Sequence, residues 1–251
     1  MIGIYFSGTG NTKYCTEKFI EQYNGKLESI YSIEDENVIE KIKSSKDILF
    51  AYPIYYSSMP KIVKQFIQGN SEMWQGKNIF ILVTQSMYSG DGAGTSARLF
   101  KRYGANILGG LHIKMPDNIG DLKIATMIFK EKHNKKKIVQ ADNRIKEVVK
   151  RYKSGKKLKD GLTSLSRVMG IANKFYINFN VKIDDTKCSK CAICIRNCPT
   201  NNLKIDREKV ISQDSCTLCY RCYCDCPRKA IAIFGSKVRE QYRIDKYIQN
   251  N

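Results

Sequence analysis

Cysteine spacing constrains this chain more than any other feature of its sequence. Nine of the ten cysteines of the 251 residues fall between Cys188 and Cys226, in two runs that read CSKCAICIRNCP and CTLCYRCYCDCP. Each run has the spacing C-x2-C-x2-C-x3-C-P, and three cysteines so close together on one loop can point their thiolates at one small inorganic centre. The spacing predicts two metal–sulfur sites with these ligands: Cys188, Cys191, Cys194, Cys198, Cys216, Cys219, Cys222 and Cys226.

Two other uses of cysteine compete with this interpretation. Zinc usually takes paired C-x2-C ligands separated by a longer connection, rather than three cysteines in tandem. Disulfides need an oxidising compartment, which nothing else in the chain indicates. We therefore expect iron–sulfur clusters.

The two runs are also an internal repeat. A shift of the chain that places Cys188 on Cys216 places Pro199 on Pro227 as well, and such a repetition predicts a pseudo-twofold domain. About 55 residues cannot bury much apolar core, so bound clusters should contribute to folding. Short apolar alternations around the runs predict small strands at Val181–Ile183, Leu203–Ile205 and Ile231–Ile233.

The runs resemble those of the bacterial two-cluster ferredoxins, in which the fourth cysteine of each run ligates the cluster of the other run. Here Cys198 and Cys226 are each set off by one extra residue and followed by proline, which lets them reach the partner loop. The resemblance implies one [4Fe-4S] cluster on Cys188, Cys191, Cys194 and Cys226, and a second on Cys216, Cys219, Cys222 and Cys198.

Two cysteines remain outside these groups. Cys224 is aligned with Arg196 in the repeat and is expected not to be a ligand, the alternative being that it replaces Cys226. Cys15 is expected to be a small core residue.

The amino-terminal stretch MIGIYFSGTGNT predicts a phosphate-binding loop. An apolar run, Met1 to Phe6, leads into SGTGNT, after which Lys13 to Tyr23 has the apolar spacing of an amphipathic helix. Glycines let backbone amides approach an anion at a helix N-terminus, and the hydroxyls add donors. The loop lacks both the Lys-Ser/Thr of a P-loop and the G-x-G-x-x-G dinucleotide pattern, and an ordinary glycine-rich turn is the alternative.

This loop resembles the T/S-x-T-G-x-T loop of the flavodoxins, which wraps the FMN phosphate after the first strand. The resemblance implies that FMN binds here, through Ser7, Gly8, Thr9, Gly10, Asn11 and Thr12.

Further apolar segments predict a doubly wound α/β domain. Strands are expected at Lys26–Tyr31, Asp47–Tyr52, Lys77–Thr84 and Asn106–Met115, separated by segments that can form helices. With the first strand they predict a parallel five-stranded sheet in the flavodoxin-like order 2-1-3-4-5. We expect this FMN-binding domain over residues 1–153, a linker or docking segment over 154–180, a small α+β ferredoxin-like two-cluster domain over 181–236 and a tail over 237–251.

In this sheet order, ligands bind beyond the carboxyl ends of the strands. Tyrosines that follow the third and fourth strands can stack on a flavin, although tyrosines in loops are equally often ordinary packing. The predicted flavin-ring contacts are Pro53, Ile54, Tyr55, Tyr56, Ser57, Ser58, Gln85, Ser86, Met87, Tyr88, Gly90, Asp91 and Gly92. His112 is expected to be packed within the fifth strand and His133 to be solvated.

Charge sets limits on the partners. The formal net charge is +19, but two clusters with their thiolates and an FMN phosphate would reduce it to about +13. The excess is concentrated between Lys130 and Lys159, in a segment expected to be largely helical from Asp121 to Tyr152. This basic segment is a solvated face, a docking surface for an acidic redox partner such as a ferredoxin or flavoprotein, or, least favoured, a nucleic-acid site.

The chain shows neither a signal peptide nor a stretch of membrane-spanning length, so a soluble, cytoplasmic protein is expected.

Taken together, the chain resembles the flavodoxin–ferredoxin fusions of anaerobic bacteria and archaea, which implies electron transfer between two clusters and FMN, with conversion between one- and two-electron steps. The alternatives are a ferredoxin-fed FMN reductase acting on a specific small-molecule or protein substrate and, in another class, a redox-sensing binding protein.

Overall fold

The computed structural model of the chain describes residues 1–55, 58–86, 91–119, 131–162, 180–233, 238 and 240–248. Five predicted flavin contacts, Tyr56, Ser57, Met87, Tyr88 and Gly90, lie outside these residues. The chain divides into two compact units. The first comprises Met1–Ser7, Asn11–Met115 and Lys136–Phe175, and the second comprises Gly8–Gly10, Pro116–Lys135 and Tyr176–Asn251.

The first unit is built on a parallel sheet of six strands. They are β1 (Ile2–Tyr5), β2 (Ile30–Ser32), β3 (Asp47–Pro53), β4 (Asn78–Gln85), β5 (Asn106–Lys114) and β6 (Leu158–Lys159), in the order β2-β1-β3-β4-β5-β6. The predicted flavodoxin-like order 2-1-3-4-5 is therefore confirmed, with helices covering a doubly wound sheet.

The predicted number of five strands is wrong, because a sixth strand adjoins β5. Strand β6 pairs in parallel with Gly109 and Gly110, and the side chain of Leu158 is buried. Two residues among lysines produce neither an apolar run nor an alternation, so the strand lies in a segment that composition alone predicts to be a linker. Strand β2 also differs, because it begins at Ile30 rather than Lys26.

Helices of the first unit bury the apolar faces that their spacing predicts. They are α1 (Asn11–Asn24), α2 (Val38–Ser44), α3 (Lys61–Gly69) and α4 (Gly92–Arg102), with a 3₁₀ turn at Ser71–Trp74. Helix α1 buries Cys15, as expected of a small core residue, together with Phe19 and Ile20. Elsewhere Phe50, Trp74 and Phe100 meet edge to face, with ring centroids 4.8 to 5.9 Å apart. This aromatic packing is part of the core of the first unit.

The basic segment is helical over Glu131–Lys153, here α5. Ile138, Ile145 and Val148 are buried on one side, whereas Lys146 and Lys150 are exposed. The earlier part of the predicted helix, residues 121–130, lies outside the described residues. No helix in the described part of the chain is long and apolar enough to cross a membrane.

The second unit is a small α+β domain that follows the repeat. Strand β7 (Lys182–Ile183) pairs antiparallel with β10 (Ile231–Ala232), and β8 (Leu203–Asp206) forms a hairpin with β9 (Lys209–Ser212). Short helices α6 (Ile193–Arg196) and α7 (Arg221–Asp225) occupy equivalent positions in the two runs, and α8 (Asp245–Ile248) follows. The three predicted strands are present, and candidate ligands Cys194 and Cys222 are part of the unit's apolar core.

His112 lies within β5, as expected, and packs against residues that follow β6. Its backbone N–H donates to the Asp160 carboxylate at 3.2 Å, and a Cβ added at Gly161 would collide with its imidazole. Burial lowers the pKa of His112, and the nearby charge of Asp160 opposes this in part. Protonation of His112 is therefore less favourable in the folded protein than in the unfolded chain.

We predict that the first unit loses stability as the pH falls through about 6.5, where the unfolded imidazole takes up its proton. The loss should reach about 1.4 kcal/mol for each unit by which the folded pKa is lowered. Trp74 is the single tryptophan and is fully buried, so its fluorescence during urea unfolding at pH 7.5 and 5.5 reports on this unit. His112→Asn should flatten the pH dependence, whereas His133→Asn on an exposed position of α5 should retain it. Equal pH dependence in both variants would contradict the assignment.

Candidate functional site

Two hollows in the second unit are each lined by four cysteines. Both are of similar size, with about 360 and 330 Å³ of empty space including the solvent at their mouths. The first hollow contains Cys188, Cys191, Cys194 and Cys226, and the second contains Cys198, Cys216, Cys219 and Cys222. These are the two groups that the spacing predicts, with Cys198 and Cys226 each placed beside the other run. That the thiols bind iron stays a prediction.

The loops that carry these cysteines share an unusual backbone. Lys190 and Ala192 in the first run have φ of 56° and 60°, and their equivalents Leu218 and Tyr220 have φ of 58° and 61°. Left-handed conformations are uncommon outside glycine and persist only where the surrounding structure enforces them. The repeated conformation turns three cysteines of each run toward one hollow.

Backbone amides point at the thiols that cross between the runs. The N–H of Asn202 donates to Cys198 Sγ at 3.2 Å, and the N–H of Ala230, the equivalent residue, donates to Cys226 Sγ at 3.3 Å. Leu218 N–H lies 3.4 Å from Cys216 Sγ. Such bonds favour the charged thiolate, which is the form that binds metals.

Each group contains a thiol that the folded chain keeps from ionising. Burial raises the pKa of Cys219 to about 12. For Cys194 burial is again the main cause of a raised pKa, followed by the charges of Cys226, Cys188 and Cys191. A positive core in the hollow would be needed to hold these groups as thiolates.

The donor set favours a cluster over a single metal ion. No aspartate, glutamate or histidine is among the described residues that line either hollow. All-thiolate sites select soft metal centres, iron–sulfur clusters among them. Within the described ranges no group of three or more His, Cys, Asp or Glu side chains is placed to hold a single metal ion. The four thiols of each hollow are compatible with an iron–sulfur core.

Cys224 is buried but does not line either hollow. The backbone N–H of Tyr242 donates to its sulfur, and burial raises its pKa to about 12. This placement agrees with the expectation that Cys224 is not a ligand.

The glycine- and hydroxyl-rich loop lies between β1 and α1. Thr9 and Thr12 are 4% and 1% exposed, and α1 has no acidic residue in its first turn. The helix thus supplies no acidic side chain of its own at its positive end, which favours an anion at the loop, although the Asp245 carboxylate lies close to Gly10. The structure also adds a residue to the predicted set, because Thr12 Oγ1 lies 2.7 Å from Thr84 Oγ1 at the end of β4. In the sequence, the only sign that Thr84 belongs to this site is its position as a threonine at the end of an apolar strand.

Two structural features favour glycine at position 10. Its φ is +96°, and a Cβ there would collide with the side chain of Ile244 in the same unit. The N–H of Ile244 donates to the carbonyl of Thr9 at 3.2 Å. A larger residue at position 10 would therefore be strained by its backbone and by its neighbour.

Segments following β3 and β4 meet at the carboxyl edge of the sheet, as predicted. The N–H of Ile54 donates to the carbonyl of Thr84 at 2.8 Å, and Tyr55 and Ser58 exchange two backbone hydrogen bonds of 3.0 Å. At the end of β4, Gln85 Oε1 and Ser86 Oγ are buried and have no hydrogen-bond partner among the described residues. Polar atoms of this kind suit a ligand that bonds to them.

Asp91 and Gly92 have structural contacts at the start of α4. The Asp91 carboxylate forms an ion pair with Arg98, and its carbonyl accepts from the Thr95 hydroxyl at 2.9 Å. The Tyr52 hydroxyl donates to the Gly92 carbonyl at 2.6 Å. The charge of Asp91 is neutralised within the helix, so any part it takes in flavin binding rests on its backbone.

Comparison with known proteins supports a flavodoxin-like domain in this chain. A family model described as a flavodoxin domain matches residues 2–108. None of the curated proteins matches the chain.

Solved flavodoxins show limited similarity to the chain. The two-electron reduced flavodoxin of Megasphaera elsdenii is 24% identical over 47% of this chain and 89% of its own, with a TM-score of 0.42. A flavodoxin from the domain Archaea is 16% identical over 61% of this chain and 97% of its own, with a TM-score of 0.41. The fold assignment rests on the strand order and not on these scores.

We predict that Cys226→Ala lowers the iron content of anaerobically purified protein from about eight to about four or fewer atoms per chain, because the first group loses one of its four thiols. Cys224→Ala is the matched control, since this cysteine lies two residues away and lines neither hollow, and it should retain full iron content. Iron and sulfide analysis of both variants makes the comparison. Loss of iron in Cys224→Ala with retention in Cys226→Ala would assign the ligand to Cys224 instead.

Proposed function

We propose that this chain is an electron-transfer protein in which the two cysteine groups hold two [4Fe-4S] clusters and the carboxyl edge of the sheet holds FMN. The observation that carries the proposal is the arrangement of eight thiols in two groups of four around separate hollows, in a chain that also contains a flavodoxin-like sheet. When bound, the clusters supply one-electron transfer and the flavin supplies one- or two-electron chemistry. The pairing of these cofactors favours a converter between one- and two-electron steps.

The chain's own residues contribute binding, orientation and tuning. Each thiol group would supply four thiolates, with the amides of Asn202 and Ala230 stabilising the two crossing ligands. The loop between β1 and α1 would hold the flavin phosphate with its hydroxyls and amides. Gln85 and Ser86 supply the polar atoms that suit the ring. None of these described groups is an acid placed to protonate a substrate, so electron transfer ranks above a reductase.

Composition and spectroscopy of the purified protein test the proposal directly. Anaerobic protein should contain about eight iron, about eight sulfide and about one FMN per chain. Dithionite reduction should give the EPR signals of two interacting [4Fe-4S] clusters, and sub-stoichiometric reductant should bleach the flavin absorbance through the clusters. Cys194→Ala should slow flavin reduction at least tenfold while FMN stays bound. Protein reconstituted with iron, sulfide and FMN that shows no flavin absorbance would rule the proposal out.

A basic rim around the first hollow favours an acidic redox partner protein. Cys191 is exposed, whereas Cys219 and Cys222 in the second hollow are buried, so the first group is the accessible one. Arg228 and Lys229 beside it are exposed and form no ion pair with a described residue. Opposite charge accelerates encounter and salt screens it. An acidic ferredoxin or flavoprotein is therefore the proposed electron donor or acceptor at this rim.

We predict that reversing the two rim charges, Arg228→Glu with Lys229→Glu, lowers the bimolecular rate of electron exchange with an acidic ferredoxin about tenfold or more at low salt. The matched control is Lys146→Glu with Lys150→Glu, which makes the same change of net charge on the exposed side of α5. Stopped-flow rates as a function of ionic strength compare the two, after iron analysis shows that both retain their clusters. A decrease confined to the α5 variant would move the docking surface to that helix, and rates independent of salt would exclude electrostatic docking.

A further inference from the structure

Thr217 has a buried hydroxyl without a hydrogen-bond partner among the described residues. It lies between the candidate ligands Cys216 and Cys219, is 6% exposed and lines the second hollow. Its Oγ1 is buried and has no hydrogen-bond partner among the described residues. A buried hydroxyl without a partner costs free energy, so such a group indicates a partner that the protein chain does not provide.

Neighbouring polar groups of this hollow bond to one another and not to Thr217. The Asn202 side-chain amide donates to Asn180 at 3.0 Å and to Ser212 at 2.9 Å. The Thr200 hydroxyl lies 3.6 Å from Cys198 Sγ. The other polar side-chain atoms of the lining residues are the Tyr220 hydroxyl and the sulfurs of the four cysteines. Sulfur therefore makes up most of the side-chain acceptors around a hydroxyl at this position.

The equivalent residue of the first run is not buried. Shifting Thr217 back by one repeat places it on Ser189, which lines the first hollow but is exposed to solvent. The two hollows therefore match in their thiols and in their backbone but differ in one buried donor. In other respects the repeat makes the two hollows similar.

We infer that the hydroxyl of Thr217 donates a hydrogen bond to a sulfur of the cluster held by Cys198, Cys216, Cys219 and Cys222, and thereby raises the reduction potential of that cluster alone. The inference rests on the proposed function for the presence of the cluster. Reduction adds one electron and makes the sulfurs more negative, so a donor stabilises the reduced state more than the oxidised one. No bond is broken, and the proton stays on the hydroxyl. Thr217 is a tuning residue that acts on the cofactor through this one contact.

The test is an EPR-monitored redox titration of the anaerobic full chain. Thr217→Val keeps the branched shape and removes the donor, and it should lower the reduction equilibrium constant of one of the two clusters about three- to tenfold. A tenfold change corresponds to about 59 mV for a one-electron couple. Thr217→Ser, which retains a hydroxyl, should restore most of the wild-type value. Ser189→Ala is the matched control in the first run and should shift neither cluster.

Outcomes of this titration are distinguishable from a failure of the proposed function. Wild-type protein without two clusters would refute the function itself. Two clusters in the wild type with unchanged potentials in Thr217→Val would overturn only this inference, as would an equal shift in Ser189→Ala. If the valine variant loses iron, Thr217→Ala provides the same comparison without a branched side chain, and a potential equal to the wild type in that variant would also overturn it.

Discussion

The gathering of four cysteines around each of two hollows is the constraint on which the second unit depends. Burial raises the pKa of Cys194, where the charges of neighbouring cysteines add to the effect, and raises the pKa of Cys219 to about 12. A positive core in each hollow would turn this unfavourable arrangement into the most favourable contact of a small domain. The apolar core of this unit is assembled from side chains that surround the cysteines, such as Leu203 and Tyr223, so cluster binding and folding are expected to be one process.

The first unit gathers polar groups at the carboxyl edge of its parallel sheet. Buried strands β3 and β4 bring their carboxyl ends to one edge, where Thr12 meets Thr84 and where Gln85 and Ser86 carry buried atoms without a hydrogen-bond partner among the described residues. Phe50, Trp74 and Phe100 pack edge to face in the core of the same unit.

Much of this arrangement could be predicted from local sequence, and the failures have identifiable physical causes. Strands β1, β3, β4 and β5 are runs of apolar and β-branched residues, so their existence and order follow from composition and from the handedness of parallel connections. Strand β6 could not be predicted, because Leu158 and Lys159 become a strand only by pairing with Gly109 and Gly110. The first residues of the predicted β2, from Lys26, remain outside the ladder for the same reason: strand bounds are decided by the neighbouring strand.

The amino-acid sequence by itself determined the two groups of cysteines and the glycines and hydroxyls of the amino-terminal loop, because spacing along the chain limits which side chains can meet at one centre. Tertiary structure alone decided the environment of each group. Only the fold exposes Cys191 while it buries Cys222. Only the fold buries the Thr217 hydroxyl with no partner among the described residues, although Ser189 occupies the same place in the repeat and is exposed. Burial depends on what packs against a residue from distant parts of the chain, and no local spacing contains that information.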